Sequence, residues 1–261
     1  MSRLYTEVRG SGPALVLLHG WGLNVRVWDG LTAALCGRFR IIAVDLPGHG
    51  RSVWLPERGS LEQQAAQVAE SVAAIAAEYS VLGWSLGGQI ALQLAAAQHG
   101  RGAGRLVLIA TTPRLTAGAD WPHGAPPERL AAQAAGLAAD YRRTVSDFLE
   151  LQVRGSADSA AALAQLRAAL FAHGYPGVAA LARGLDLLRD TDLRPLLGDI
   201  SLPTLVIAGQ YDRVTLPAAS HALADGLPRG RYVEIRRAAH APFLSHLPEL
   251  NTLISDFLLQ S

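Results

Sequence analysis

The chain contains no lysine, and all 23 of its basic residues are arginine. Alanine and glycine are abundant beside them, so this is composition bias and not a functional signal. One cysteine, Cys36, excludes an internal disulfide and a cysteine metal cluster. Its helical surroundings suit a small buried side chain better than a reactive thiol. Charge of one sign is lacking too: the net charge is +1, so no bulk field draws the chain to nucleic acid or a membrane. No run has the length and apolarity of a membrane span, and Met1–Glu7 has no apolar signal core. A soluble cytoplasmic protein is the expectation. H-E-x-x-H, a dense carboxylate set, a G-x-G-x-x-G after the first strand and a G-x-x-x-x-G-K-[ST] loop are all missing. No metal, nicotinamide, flavin or nucleotide is implied, and no cofactor is expected.

Half of the 261 residues are apolar, enough for one large core. Short apolar runs predict strands at Leu4–Val8, Ala14–Leu18, Arg40–Val44, Ser80–Gly83, Leu106–Ala110, Thr204–Ala208 and Tyr232–Ile235. Several are near-continuous Val, Leu and Ile, as parallel strands covered on both faces require. Helical patterns lie between them, near Val27–Leu35, Leu61–Glu78, Leu86–Gln98, Leu216–Gly226 and Pro248–Leu259. The alternation predicts an α/β protein with a mostly parallel, doubly wound sheet. Between Pro113 and Leu193 it stops. Four helices are expected there, at Pro127–Asp140, Tyr141–Arg154, Ser159–Phe171 and Val178–Arg189, separated by breakers such as Gly155 and Gly174-Tyr175-Pro176-Gly177. This reads as a core over 1–112, a four-helix cap over 113–190 inserted before the last two strands, and the rest of the core over 191–261. A cap so placed covers the edge where open α/β sheets bind ligands.

Gly83-Trp84-Ser85-Leu86-Gly87 has the form G-x-S-x-G, between the apolar Val81-Leu82 and the helical pattern of Gln89–Ala95. A strand, a sharp turn and a helix are the setting in which this motif exposes a nucleophilic serine. A serine hydroxyl needs a base, and the base an orienting acid. In this architecture the order is Ser, acid, His. His240 lies in the loop beyond the last strand, at the edge where Ser85 emerges. His246 starts the final helix, where a capping or surface role fits better. Asp212 follows the strand Leu205–Ala208 at the same edge. Asp225 sits in the next helix and Asp199 at the wrong end of the strand, as surface charges or caps. An oxyanion needs two backbone donors. The amide of Leu86 is one, and the loop Leu17-Leu18-His19-Gly20-Trp21-Gly22 would give the other at Trp21, whose ring either lines the pocket or packs in the core. His19 reads as hydrogen-bonded within that loop. Asp45 and His49, in Asp45–Ser52, read as parts of a structural turn outside the reaction.

With these motifs the chain resembles the α/β-hydrolase superfamily from Leu15 to the last helix. Leu17–Asn24, Leu82–Gly88 and Ala238–Phe243 resemble one family in particular, the pimeloyl-[acyl-carrier protein] methyl ester esterases of biotin synthesis. In the cap, Asp120-Trp121-Pro122, Arg143-Thr144-Val145 with Phe148-Leu149, Leu185–Leu188 and Asp192-Leu193-Arg194 also fit. The resemblance implies hydrolysis of a pimeloyl methyl ester carried on acyl-carrier protein, releasing methanol and the free carboxylate. It implies that Trp21, Ser85, Leu86, the segment Phe148, Leu149, Glu150, Leu151 and Gln152, and His240 contact substrate. It further implies cap arginines facing an acidic carrier protein, here Arg142, Arg143, Arg154 and Arg167. Asp147 stands where the family can carry a basic residue, and Ala160 and Ala164 where arginines are expected. The cap from Trp121 to Asp190 holds seven arginines and seven acids, so a basic face must come from arrangement. A general short-chain carboxylesterase, or another hydrolase on this scaffold, is the second reading. A ligand receptor with little turnover is the third, and an intact Ser85, Asp212 and His240 speak against it.

Overall fold

The computed structural model describes residues 3–97 and 103–260. Among them, seven strands form one sheet: β1 (Thr6–Arg9), β2 (Ala14–Leu18), β3 (Arg40–Val44), β4 (Tyr79–Trp84), β5 (Ala103–Ile109), β6 (Thr204–Gly209) and β7 (Gly230–Ile235). Their order is β1-β3-β2-β4-β5-β6-β7, with β1 antiparallel to β3 and every other pairing parallel. Leu15–Leu18, Ile41–Val44 and Leu205–Ala208 are buried on both faces. This accounts for their unbroken apolar sequence, each such Leu or Val contributing ~1.5–3 kcal/mol of burial.

Helices α1 (Asp29–Leu35), α2 (Leu61–Ala73), α3 (Leu86–Ala97), α8 (Pro217–Gly226), α9 (Pro242–Ser245) and α10 (Leu247–Leu259) belong to this α/β frame. Between β5 and β6 lie α4 (Pro127–Ala139), α5 (Tyr141–Val153), α6 (Ser159–Ala172) and α7 (Val178–Asp190), each within a residue of expectation at either end.

Several boundaries depart from the sequence pattern for local reasons. The chain before α1 is a 3-10 turn, Val25–Trp28, because Asn24 Oδ1 accepts the Arg26 amide and Asp45 Oδ1 the Val25 amide. Helix α2, started by a capping box of Ser60 and Gln63, stops at Ala73, not at Glu78. The Val72 carbonyl takes the amides of Ile75 and Ala76, turning the chain toward β4. Leu4 stays out of β1 because its amide donates to Ser71 Oγ. Ala110 adopts a positive φ of 47° and ends β5 one residue early. Cys36 is the residue capping α1 and is half-buried, not a buried helix position. Gln98, the expected end of α3, lies outside the described residues, as do Met1 and Ser2. Among the described residues no helix is long and apolar enough to cross a membrane.

Because β2, β4, β6 and β7 are parallel neighbours or near-neighbours, their C-terminal ends open at one edge of the sheet. The loops carrying Trp21, Ser85, Asp212 and His240 all leave from that edge.

Candidate active site

Ser85 has φ 55°, a left-handed backbone for a residue with a side chain. The glycines around it show what holds that strain. A Cβ on Gly83 would run into the backbone of Gly87 and Gly88, and one on Gly87 into the carbonyls of Leu18 and His19. The Ser85 amide donates to Ile109 O at 3.0 Å, while its carbonyl takes the amides of Gly88 and Gln89 and begins α3. Strand and helix thus meet at a point, with the serine at the apex.

Asp212 and His240 meet as expected. Asp212 Oδ2 lies 2.8 Å from His240 Nδ1, and both side chains are buried. Asp212 Oδ1 accepts the amides of Val214 (2.8 Å) and Thr215 (3.0 Å), which fixes the carboxylate. With Nδ1–H directed at the carboxylate, Nε2 keeps its lone pair. That nitrogen is buried and has no hydrogen-bond partner among the described residues. The loop is pinned twice more: the His240 amide donates to Gln152 O at 2.9 Å, and its carbonyl accepts from Trp84 Nε1 at 2.8 Å. His246, by contrast, is half-buried, makes no cap bond and pairs with Ser245 Oγ at 2.8 Å. Asp225 is on the surface beside His221.

Among the described residues, neither the Trp21 amide nor the Leu86 amide donates to an acceptor in the protein. Two buried histidines shape the loop that carries Trp21. His19 Nδ1 donates to Gly20 O at 2.8 Å and Nε2 accepts the Leu46 amide. His49 Nε2 accepts the Gly22 amide at 3.2 Å. Burial pushes His19 down to about 4 and His49 to about 3, so both stay neutral and can accept. Asp45 holds the neighbouring turn through the amides of Val25 and Arg51. His49 therefore helps hold the loop that carries Trp21, a contact its place in a turn motif did not disclose.

The Trp21 ring is not a wall of the Ser85 chamber. It is buried, its Nε1 donates to Leu181 O at 2.9 Å, and its ring packs edge-on to Phe148 with centroids 5.2 Å apart. Helix geometry also divides the segment 148–152, since successive residues turn by about 100°. Phe148 faces Ser85, and Leu151 faces a cleft between α4 and α5. Leu149 is in the core, Glu150 is on the outer surface, and Gln152 is buried with its carbonyl on the His240 loop. Arg129 and Gln133 of α4, Leu115, Leu188 and Val214 also line the chamber. Nothing in the motifs marked them, although Arg129 and Gln133 share one helix face at i, i+4.

The four cap arginines do not form one free basic face. Arg143 pairs with Asp147 (3.7 Å) and Arg167 with Glu150 (2.8 Å). Arg142 lies over the Tyr175 ring at 4.9 Å, and Arg154 is exposed after α5.

The sequence model of the alpha/beta hydrolase family matches residues 15–251. The chain belongs to the alpha/beta hydrolase family. Within it, the chain is 42% identical to a pimeloyl-[acyl-carrier protein] methyl ester esterase of Nitrosomonas europaea, covering 94% of this chain and 95% of that protein. It is 41% identical to the protein of the same name in Aeromonas hydrophila, covering 95% and 96%. Among solved alpha/beta structures, an esterase from Exiguobacterium antarcticum superposes with TM-score 0.91 at 21% identity, covering 99% of this chain and 96% of that one; it speaks for the fold alone. The enol-lactonase of Burkholderia xenovorans gives 0.84 at 25% identity, over 98% and 96%.

Proposed function

We propose that this alpha/beta hydrolase is a serine carboxylesterase that hydrolyses the methyl ester of a pimeloyl chain carried on acyl-carrier protein, as a step of biotin synthesis. The observation that carries the reading is the buried Asp212–His240 pair, its Nε2 unpartnered, at the sheet edge where Ser85 is held at φ 55°. Ser85 Oγ attacks the ester carbonyl while His240 Nε2 takes its proton. Asp212 holds the tautomer and stabilises the imidazolium. The amides of Leu86 and Trp21 receive the oxyanion. His240 returns the proton to the leaving methanol, and water then hydrolyses the acyl-enzyme by the same path.

The names of the relatives support this substrate. The carrier protein would meet the cap near Arg142, Arg143, Arg154 and Arg167. The pairing of Arg143 and Arg167 with carboxylates of their own chain favours, as a second reading, a general short-chain carboxylesterase.

The deciding experiment measures methanol release from the carrier-bound pimeloyl methyl ester, together with rescue of a biotin auxotroph lacking this esterase. Wild-type protein should do both, and Ser85→Ala should lose about 10⁶ in kcat. A well-expressed wild type that cleaves small esters but fails on both counts establishes the second reading.

A further inference from the structure

Two cavities meet at one wall. The first is the small chamber beside Ser85. The second is an open cleft of about 290 Å³ between α4 and α5, near the lower end of the size that small-molecule sites have. Arg129, Gln133 and Phe148 line both. They therefore form the wall between the nucleophile and the cleft, the throat that a chain reaching from one to the other has to pass.

Each throat residue is held differently. Phe148 is braced by the Trp21 edge. Arg129 is tied through Nη1 to the carbonyl of Arg213, and burial disfavours its charged form. Gln133 is uncommitted: its Nε2 is buried, and its side chain makes no hydrogen bond among the described residues. A buried amide nitrogen without an acceptor is uncommon, and because Gln133 lines both cavities a turn of its side chain brings that donor to a ligand.

We propose that the α4–α5 cleft seats the part of the acyl chain remote from the ester, and that Gln133 selects chains with a second carbonyl set back from the reacting one. This deepens the ester-hydrolase reading and rests on it. The reacting ester sits in the chamber at Ser85. The methylene chain passes Phe148 and the stem of Arg129, and the remote carbonyl accepts from Gln133 Nε2. A monoester with a plain alkyl chain fills the same volume and leaves the amide unpaired, so the site favours a dicarboxylic chain. Ala132 and Gly136 line the cleft but not the chamber, so the cleft can be filled separately.

The test reads binding, so it does not depend on turnover. In Ser85→Ala protein, calorimetry compares dimethyl pimelate with methyl nonanoate, which has the same chain length and no second carbonyl. Dimethyl pimelate should bind more tightly. Gln133→Leu should shrink that preference by about tenfold. Ala132→Trp, at an exposed position, should weaken dimethyl pimelate by tenfold or more, and Ala132→Leu by less. Unfolding curves identify any variant that has lost its fold. No preference for dimethyl pimelate, or a preference that survives Gln133→Leu, overturns the role of Gln133. Unchanged binding in folded Ala132→Trp and Ala132→Leu overturns the cleft. Failure of wild-type protein on the carrier-bound ester would instead count against the proposed substrate and leave these binding ratios standing.

Discussion

Asp212 Oδ2 and His240 Nδ1 are 2.8 Å apart, between two side chains withdrawn from water. The other carboxylate oxygen is filled by the amides of Val214 and Thr215. The aspartate thus has one task left, to hold the histidine with Nδ1 protonated and Nε2 free.

Asp212→Asn tests that task. The amide keeps the size of the side chain but can present an N–H to Nδ1, which favours the tautomer with its lone pair misdirected. We expect kcat on a methyl ester to fall by about 10⁴ with KM little changed, the loss known for the equivalent change in a serine-protease triad. Steady-state kinetics check it, and a loss under tenfold would reject Asp212 as the orienting acid.

The neutral histidines predict acid sensitivity. Burial lowers His19 to about 4 and His49 to about 3, from 6.5. Below about pH 6.5 the unfolded chain takes up protons that the folded chain refuses. The stability these groups contribute is full above pH 6.5 and declines as the pH falls toward 4, at up to ~1.4 kcal/mol per pH unit for each histidine. Urea midpoints between pH 7 and 4 should fall accordingly. His49→Asn should flatten the slope while lowering stability at pH 7.

Trp21→Phe separates the amide of this residue from its ring. The backbone donor remains, but Leu181 O loses the indole N–H and the packing behind Phe148 loosens. We expect ~1–3 kcal/mol of destabilisation in denaturant titrations. The kcat/KM should fall more for long acyl esters than for acetate esters, because the ring braces the throat.

Carrier docking is testable through salt. Arg143→Glu should lower the ratio of kcat/KM for the carrier-bound ester to that for p-nitrophenyl acetate several-fold at low ionic strength. The difference should shrink as salt is added. An unchanged ratio removes Arg143 from the docking surface. Its pairing with Asp147 implies a modest effect.

Much of this molecule was legible along the chain because it is written in local chemistry. The continuous Val and Leu runs are buried strands, and the glycines around Ser85 are where any Cβ would strike backbone. The order Ser85, Asp212, His240 follows from which strand ends carry polar loops. What stayed hidden depends on contacts between distant segments. Asn24 and Trp21 are tied to the cap at Ala169 O and Leu181 O, and Gln152 O receives the amide of His240. No spacing rule announces a hydrogen bond to a backbone carbonyl across such separations.

The sequence by itself determined the α/β frame and the elbow, and singled out Ser85, Asp212 and His240 as the reacting groups proposed above, because strand burial, turn strain and helix starts are decided by neighbouring residues. Only the tertiary structure decided the rest. It placed the Trp21 ring behind Phe148 and not at the chamber, and gave Arg143 and Arg167 carboxylate partners of their own. It left Gln133 as an unpaired donor between two cavities. Side chains on a helix face every direction in turn, and which of them meets a cavity, a partner or solvent is fixed by what packs against the helix.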